Sequence, residues 1–315
     1  MMWVIFPIFA QLFYCVGGYI QNYLTDTALP KKRAGSLTVM HIISFALSLI
    51  FLFAIFGRAV MMIPLEHALG LMLAGSINII GAVYYYKSIQ KGDNIDVTVF
   101  GQVAPLISIG LGVLLLGESI SVNQALGFLF MIGASALVVF GNQTKSERQK
   151  PNFSVAILTI IYCFFSVLSD IVYAMFIAEG PATIISFAQG FFFFQLGSLL
   201  MSLLGLIVFP SWRHALRRTF FTGPKHKLFF AAELADNFAL IAGELLYKFG
   251  LVIAPVVALV SPIGRVASLF ANFIMTLCFG RIFPKFIRAK RFTKRMILNY
   301  IIAAVLILVG IVLMN

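Results

Sequence analysis

One apolar segment of the chain carries several ionisable side chains, within the residues KLFFAAELADNFALIAGELLYKFG (227–250). At 100° per residue, a helix places Glu233, Asp236, Asn237, Glu244 and Lys248 on roughly one third of its circumference. Such a stripe must face protein or water, because lipid cannot satisfy polar groups. Three carboxylates on one face predict a wall that binds a cationic substrate or carries protons. The alternative is internal ion pairing, for which Glu244 and Lys248 have the i,i+4 spacing.

Two more charged residues lie deep within other apolar segments. Asp170 occurs in CFFSVLSDIVYAMF, and Arg265 lies in the segment that follows Lys248. A lone carboxylate at this depth needs a partner or a proton, so Arg265 is the expected partner of Asp170 or of Asp236. A structural salt bridge and a substrate-binding role are equally open, and Arg265 could instead hold a substrate carboxylate or phosphate. The excess of carboxylates at depth favours a cationic or zwitterionic substrate.

Tyrosine, glutamine and proline residues complete the candidate set. Tyr14 offers an aromatic face for an amine, and Gln102 adds a polar group for substrate binding or proton coupling. The tyrosines at 84–86 are interpreted as an interfacial aromatic belt. Pro105 and Pro262 occupy matching places in the fourth and ninth apolar segments, where each is expected to kink a helix and serve as a hinge.

No motif of the sequence supports enzymatic chemistry. The chain has no His-Glu-x-x-His zinc pair, no phosphate-binding loop and no nucleophile with a nearby base. We therefore expect no catalytic residue, no cofactor and no metal site. We also expect no nucleic-acid partner, because topology signals and contacts with anionic lipid account for the net charge of +12.

The candidate residues lie on ten apolar stretches that fill nearly the whole chain of 315 residues. A helix needs about 20 apolar residues to cross a hydrocarbon layer roughly 30 Å thick. With 61% hydrophobic and 11% charged residues, the chain is predicted to be an all-α integral membrane protein with ten transmembrane helices. The predicted stretches are Trp3–Tyr23, Ser36–Gly57, Ala68–Tyr86, Thr98–Leu116, Val122–Phe140, Phe153–Ile177, Thr183–Phe209, Leu228–Phe249, Val252–Phe279 and Met296–Met314.

The basic residues are strongly biased toward alternate loops. Twenty of the 23 lysines and arginines fall in the odd-numbered loops, whereas the even-numbered loops hold Arg58 and Lys248. Short basic loops stay cytoplasmic, so both termini are predicted on the opposite side of a plasma or inner membrane. The basic stretches 210–227 and 281–295 interleave cations with aromatic and apolar residues, which predicts contact with an anionic lipid leaflet.

The chain also repeats itself. The polar stretch 142–152 reads as a linker between two halves of five helices, residues 1–141 and 153–315. In the first half a Tyr-Lys pair is followed by Pro105, and in the second half Tyr247-Lys248 is followed by Pro262. Because five is an odd number, two such copies must be inverted. Inverted repeats around a central site are a recurrent transporter architecture.

The first copy resembles a known family. A tyrosine-rich end to the third stretch, followed by VTVFGQVAPLISIGLGVLLLGESIS (97–121), is similar to the EamA domain of the drug/metabolite transporter superfamily. The second copy is a weaker match, with Arg281 in place of the glutamate of the Gly-Glu turn. The resemblance implies ten helices, with helices 5 and 10 peripheral and the others around a central cavity. It also implies cytoplasmic termini, opposite to the orientation that the charge bias predicts.

Together these observations predict a secondary active transporter of a small polar metabolite, cationic or zwitterionic, working by alternating access with or without proton coupling. A flippase for a lipid-linked or amphipathic substrate is one alternative. A membrane scaffold or receptor without transport activity is another. Sequence leaves the substrate, the direction of transport and the oligomeric state open.

Overall fold

The computed structural model of the chain describes residues 2–27, 41–91, 97, 100–141, 153–177, 183–217, 226–279 and 293–314. These residues are helical apart from short turns. The predicted linker 142–152, the residue Arg281 and most of the basic residues of the odd-numbered loops lie outside the described residues.

Each predicted stretch overlaps one helix of 13 residues or more among the residues described. In chain order these helices are α1 (Met2–Thr27), α2 (Ile42–Phe56), α3 (Leu65–Lys91), α4 (Ala104–Leu116), α5 (Val122–Gly141), α6 (Phe153–Phe176), α7 (Ile184–Val208), α8 (His226–Ile253), α9 (Val260–Phe279) and α10 (Lys294–Met314). A short helix, Pro210–Arg217, follows α7. The ninth stretch was predicted too long, because α8 continues to Ile253 and a 3-10 turn at Val257–Leu259 precedes α9.

Seven of the described helical segments are long and apolar enough to cross a membrane by length and composition. They contain α1, α2, α3, α6, α7, α9 and α10. The apolar segments Ala104–Leu116 of α4 and Val122–Val138 of α5 are shorter than these seven, and α8 is 28 residues long but carries the charged stripe. The chain is therefore an integral, multi-pass membrane protein. Ten membrane spans remain a prediction.

The outer surface of the helices is strongly apolar. Ile50, Leu114, Val122 and Leu308 are each more than 60% exposed, at 65%, 78%, 77% and 64%. Side chains of this kind over the outer faces of long helices are stable against lipid hydrocarbon, and helices satisfy their own backbone hydrogen bonds there. The polar side chains described below are instead directed toward the interior of the bundle.

The most extensive helix contacts join the two halves of the chain. Helix α3 packs on α6, α1 packs on α8, and α5 packs on α10. In two copies of five helices, α1 corresponds to α6, α3 to α8 and α5 to α10. The α1–α8 contact in one copy therefore corresponds to the α6–α3 contact in the other, and the α5–α10 contact joins two corresponding helices. This pattern is the one expected of two related copies, and it holds the charged face of α8 against α1.

A pair of Gly-Ser dipeptides brings α3 and α7 into backbone contact. Ser76 Oγ donates to the Gly197 carbonyl at 3.3 Å, and Ser198 Oγ donates to the Gly75 carbonyl at 3.1 Å. A Cβ on Gly197 would lie 2.0 Å from the Met72 carbonyl oxygen. Small residues allow membrane helices to approach this closely. We call these two dipeptides the glycine-serine seam.

A second close approach joins α5 and α10. A Cβ on Gly127 would lie 2.5 Å from the Gly310 carbonyl oxygen, and a Cβ on Gly310 would lie 2.7 Å from the Gly127 carbonyl oxygen. The contact is reciprocal, so each glycine is required by the other. The two helices therefore pack as one pair at the side of the bundle.

Candidate functional site

The polar stripe of α8 faces the interior of the bundle, as its helical spacing predicts. Glu233 and Lys248 are only 2% and 1% exposed, and Asp236 and Asn237 are fully buried. Phe238, which lies away from the stripe, is 62% exposed. At 1.5 Å per residue, Asp236 and Lys248 lie about 18 Å apart along the helix. The stripe therefore supplies polar groups at two separate depths.

The first group lies at the end of the bundle where α1 and α3 finish and α2 and α8 begin. We call it the carboxylate cluster, and its members are Gln21, His41, Tyr86, Glu233, Asp236 and Asn237. Gln21 Nε2 donates to Asp236 Oδ2 at 3.2 Å. His41 Nδ1 lies 3.4 Å from Asn237 Oδ1, and its Nε2 lies 2.5 Å from the Tyr86 hydroxyl. Glu233 Oε1 is buried and has no hydrogen-bond partner among the described residues.

The carboxylate cluster corrects the interpretation of Tyr86. The tyrosines at 84–86 were predicted to form an interfacial belt, yet Tyr86 is only 4% exposed and contacts His41. Tyr84 stacks on Phe165, with ring centroids 5.9 Å apart. A belt residue would have a hydroxyl directed to the water at the membrane surface. Tyr86 belongs to the interior polar network instead.

The second group surrounds Lys248, toward the opposite end of α8. We call it the lysine cluster, and its members are Asp170, Tyr173, Phe194, Tyr247 and Lys248. Lys248 Nζ lies 2.8 Å from Asp170 Oδ1, and the Tyr247 hydroxyl donates to Asp170 Oδ2 at 3.1 Å. The ammonium also lies 4.6 Å and 4.2 Å from the ring centroids of Tyr173 and Phe194. Two aromatic faces and one carboxylate thus stabilise a buried cation.

The lysine cluster overturns two expectations about ion pairing. Asp170 was expected to pair with Arg265, but its ion pair is with Lys248. Lys248 was counted as a loop residue with Glu244 as its i,i+4 neighbour, but it lies inside the bundle and reaches across to α6. The reason is tertiary, since α6 brings Asp170 within reach of the long lysine side chain.

The third group lies between α1, α6, α8 and α9, and we call it the arginine region. Its members are Tyr14, Tyr162, Glu244 and Arg265, and all four side chains are half-buried. The Arg265 guanidinium lies 5.6 Å from the Tyr162 ring centroid, over the face of the ring. A Cβ on Gly243, the neighbour of Glu244, would lie 2.9 Å from the Tyr14 ring, and the centroid of that ring lies 6.4 Å from that of the Tyr247 ring. A Cβ on Gly264, the neighbour of Arg265, would lie 3.4 Å from the same Tyr247 ring. One carboxylate and one guanidinium therefore share a region lined by tyrosines.

Gln102 lies near this region. It occupies the turn at 102–103 that precedes α4, beside Gly101. A Cβ on Gly101 would lie 3.7 Å from Arg265 Nη1. The structure therefore brings Tyr14, Gln102, Glu244 and Arg265 to one part of the bundle, and it separates them from Asp236.

Comparison with known proteins agrees with these features. Residues 1–140 match the model of the EamA-like transporter family. We call these matched residues the EamA-like domain. A relative from Clostridium kluyveri described as an uncharacterized transporter is 28% identical over 131 residues, which is 39% of this chain and 42% of that protein. The match thus spans less than half of that relative's length.

A crystal structure of another protein shares the fold. It superposes over 99% of this chain and 95% of its own length, with a TM-score of 0.66 and 13% sequence identity. At this level of identity the likeness concerns the fold alone. The predicted resemblance to the EamA domain is confirmed by the family match over residues 1–140, which is consistent with the drug/metabolite transporter superfamily.

The Gly-Glu turn of the EamA-like domain connects the two halves of the chain. Gly117 ends α4 with a φ of 65°, a conformation that glycine adopts without strain. Glu118 accepts hydrogen bonds from the backbone N–H groups of Val257 and Ala258, at 2.5 Å and 3.1 Å. A Cβ on Gly112 would lie 2.6 Å from Glu118 Oε2. The EamA glutamate therefore fixes the 3-10 turn that leads into α9.

The two prolines begin helices instead of kinking them. Pro105 is the second residue of α4, and Pro262 is the third residue of α9. The first N–H groups of a helix have no partner within the helix, so proline costs little there. Each proline follows a break in the helix, a turn at 102–103 before Pro105 and the 3-10 turn Val257–Leu259 before Pro262, and the predicted hinge role of the two prolines stays a prediction. Pro255, predicted as a break within the ninth stretch, lies between Ile253 and the 3-10 turn.

Proposed function

We propose that this protein is a secondary transporter that moves a small cationic or zwitterionic metabolite by alternating access. The observation that carries the proposal is the arginine region, where Glu244 and Arg265 are half-buried within a membrane bundle. Ionisable groups at such depth are costly unless they serve a partner. Residues 1–140 match a transporter family, and we propose no catalytic chemistry for this protein.

The two charges suit the two ends of an amino-acid-like substrate. Glu244 is proposed to pair with a substrate ammonium, whose face would rest on Tyr14. Arg265 is proposed to hold a substrate carboxylate with its planar fork of donors. Asp170 does not compete for the ammonium, because Lys248 already neutralises it. Gln102 would add a hydrogen bond near Arg265.

The contacts between the halves support movement of one against the other. The Glu118 hydrogen bonds attach the end of α4 to the start of α9, next to the helix breaks that precede Pro105 and Pro262. Inverted repeats that rock around a fixed site produce alternating access. We propose residues 1–141 and 153–315 as the two repeats, joined by the linker 142–152. The Lys248–Asp170 pair is the proposed site of proton coupling.

Uptake into proteoliposomes would test this function. The purified protein would be offered radiolabelled amines, amino acids, sugar phosphates and nucleotides, with and without a pH gradient. Saturable uptake of an amine or amino acid that is lost in Glu244→Gln, but kept in Glu66→Gln, supports the proposal. Glu66 is a suitable control because its side chain is 80% exposed. Uptake of phosphates alone, or a response to lipids alone, would contradict it and favour an anion transporter or a flippase.

The orientation is a further part of the proposal. We propose that the odd-numbered loops face the cytoplasm of a plasma or inner membrane, with anionic lipid against the basic stretches 210–227 and 281–295. The short helix Pro210–Arg217 lies in the first of these stretches, and its Trp212 is held 8% exposed against Gly205. Labelling of tagged termini by a membrane-impermeant reagent on intact cells would support it, and labelling only after lysis would reverse it.

A further inference from the structure

The carboxylate cluster contains a set of metal-ligating side chains that the proposed transport function does not use. The ligand atoms of His41, Glu233 and Asp236 all lie within 4.8 Å of one another. The three residues are 8%, 2% and 0% exposed. They come from α8 and from the residue that precedes α2, so the fold alone brings them together.

The unsatisfied groups of this cluster indicate a bound cation. In the described part of the chain, Glu233 Oε1 has no hydrogen-bond donor and Asn237 Nδ2 has no acceptor, although both atoms are buried. Buried polar atoms are almost always paired. Within the described residues no lysine or arginine nitrogen lies within 4.0 Å of Glu233 or Asp236. Among the side chains that the structure describes, Glu233 and Asp236 therefore have the Gln21 amide as a donor but no positively charged partner.

The neighbours of the ligating groups have the arrangement of an outer coordination shell. When His41 Nε2 carries the proton, it donates to the Tyr86 hydroxyl, and the lone pair of Nδ1 faces Asn237. Gln21 Nε2 orients the Asp236 carboxylate. Hydrogen bonds of this kind fix the tautomer of a ligating histidine and the orientation of a ligating carboxylate.

We propose that His41, Glu233 and Asp236 form a binding site for one divalent transition-metal ion, such as Mn²⁺ or Zn²⁺. One imidazole nitrogen with two carboxylates suits these ions better than Mg²⁺ or Ca²⁺, which prefer oxygen ligands alone. A tetrahedral site with bonds of 2.1 Å would have ligand atoms about 3.4 Å apart, so small side-chain rotations would close it. The Asn237 amide oxygen is the candidate fourth ligand.

The site is independent of the proposed transport function. It lies near the start of α8, where Asp236 is about two turns and Glu233 about three turns of helix from Glu244. An ion held here would join α1, α2 and α8 at one end of the bundle, whereas the arginine region lies farther along α8. Metal binding and metabolite transport can therefore fail separately.

Metal binding to the purified full-length protein in detergent would test the proposal. After treatment with a chelator, the protein would be dialysed against MnCl₂ or ZnCl₂ alone, and bound metal would be counted by elemental analysis. We expect one ion per chain, a higher midpoint of thermal unfolding, and at least tenfold weaker binding of Mg²⁺ and Ca²⁺.

Variants distinguish the loss of a metal ligand from a general loss of stability. Glu233→Gln and His41→Gln are expected to abolish stoichiometric binding. Tyr86→Phe, which keeps every ligand, is expected to weaken it about 10- to 100-fold. Glu244→Gln, on the same helix but outside the cluster, should bind metal as the wild type does. Should Glu233→Gln fail to fold, Tyr86→Phe still decides the matter.

Two outcomes would overturn the site. One is that the wild-type protein binds neither Mn²⁺ nor Zn²⁺ at one ion per chain. The other is equal binding by the wild type, His41→Gln and Tyr86→Phe. The first result would mean that the two carboxylates are satisfied without a metal ion, and the second would mean that the metal binds elsewhere on the protein.

Discussion

Replacing Lys248 by methionine is expected to destabilise the protein strongly, because it leaves the Asp170 carboxylate without its ion-pair partner. The Lys248 side chain is 1% exposed and that of Asp170 is 16% exposed, so water can replace little of the lost interaction. Breaking a buried ion pair from one side costs about 3 to 5 kcal/mol. The Tyr247 hydroxyl still donates to Asp170, and methionine keeps contact with both aromatic rings, so we expect about 3 kcal/mol.

A double-mutant cycle measures this coupling directly. The free energy of unfolding would be measured in mixed micelles for Lys248→Met, Asp170→Leu and the double variant. An apolar pair in place of a buried ion pair is often neutral, so the double variant should recover at least about 2 kcal/mol of the loss. Lys227→Met, on an exposed position of the same helix, is the control and should change stability little.

The ion-pair argument would be refuted by additivity. If the double variant loses the sum of the two single losses, the two side chains do not interact energetically. A cost below about 1 kcal/mol for Lys248→Met would equally show a solvated pair, since exposed pairs contribute only that much.

Three further changes test other parts of the structure. Gly197→Ala is expected to lower the free energy of unfolding by about 1 to 3 kcal/mol and to lower the thermal midpoint, because its Cβ would lie 2.0 Å from the Met72 carbonyl oxygen. The control is Gly18→Ala, whose Cβ would meet nothing within 4 Å, so its thermal midpoint should stay unchanged. Glu118→Ala removes a charged acceptor from two backbone N–H groups and should cost about 1.5 to 3 kcal/mol in a denaturant titration. Arg265→Lys keeps the charge but loses the planar fork, so a substrate with a carboxylate should bind about tenfold more weakly in an uptake assay, a change of about 1.4 kcal/mol.

A different result would contradict each of these three predictions. Equal thermal midpoints for the alanine variants at 197 and 18 would mean that α3 and α7 separate easily. An unaltered denaturation curve for Glu118→Ala would mean that the turn before α9 holds without its anchor. If Arg265→Lys weakens the binding of simple amines and of amino acids equally, the guanidinium does not bind a substrate carboxylate.

Sequence periodicity was sufficient to predict the helices and the orientation of the α8 stripe. Helical geometry fixes which residues share a face, and Glu233, Asp236 and Asn237 are indeed buried while Phe238 is exposed. The same reasoning could not predict partners, because partners depend on how helices pack. Asp170 is thus bonded to Lys248 and not to Arg265.

Other features were hidden because their sequence signals are weak or ambiguous. Proline fits both a kink and a first helical turn, so Pro105 alone did not reveal where α4 begins. Tyr86 has the composition of a belt residue, and only the position of His41 shows that it points inward. The Gly75-Ser76 and Gly197-Ser198 dipeptides do repeat in the sequence, and that repetition was the available signal for the seam between α3 and α7.

The pairing of α5 with α10 has a consequence for the biosynthesis of this protein. Gly127 leaves the ribosome long before Gly310, its partner in reciprocal backbone contact. At 5 to 20 residues per second, the interval is about 10 to 40 s. During that time the surface of α5 at Gly127, which α10 later covers, faces lipid or the insertion machinery. A nascent chain stalled before α10 would leave the glycine face of α5 without its partner helix.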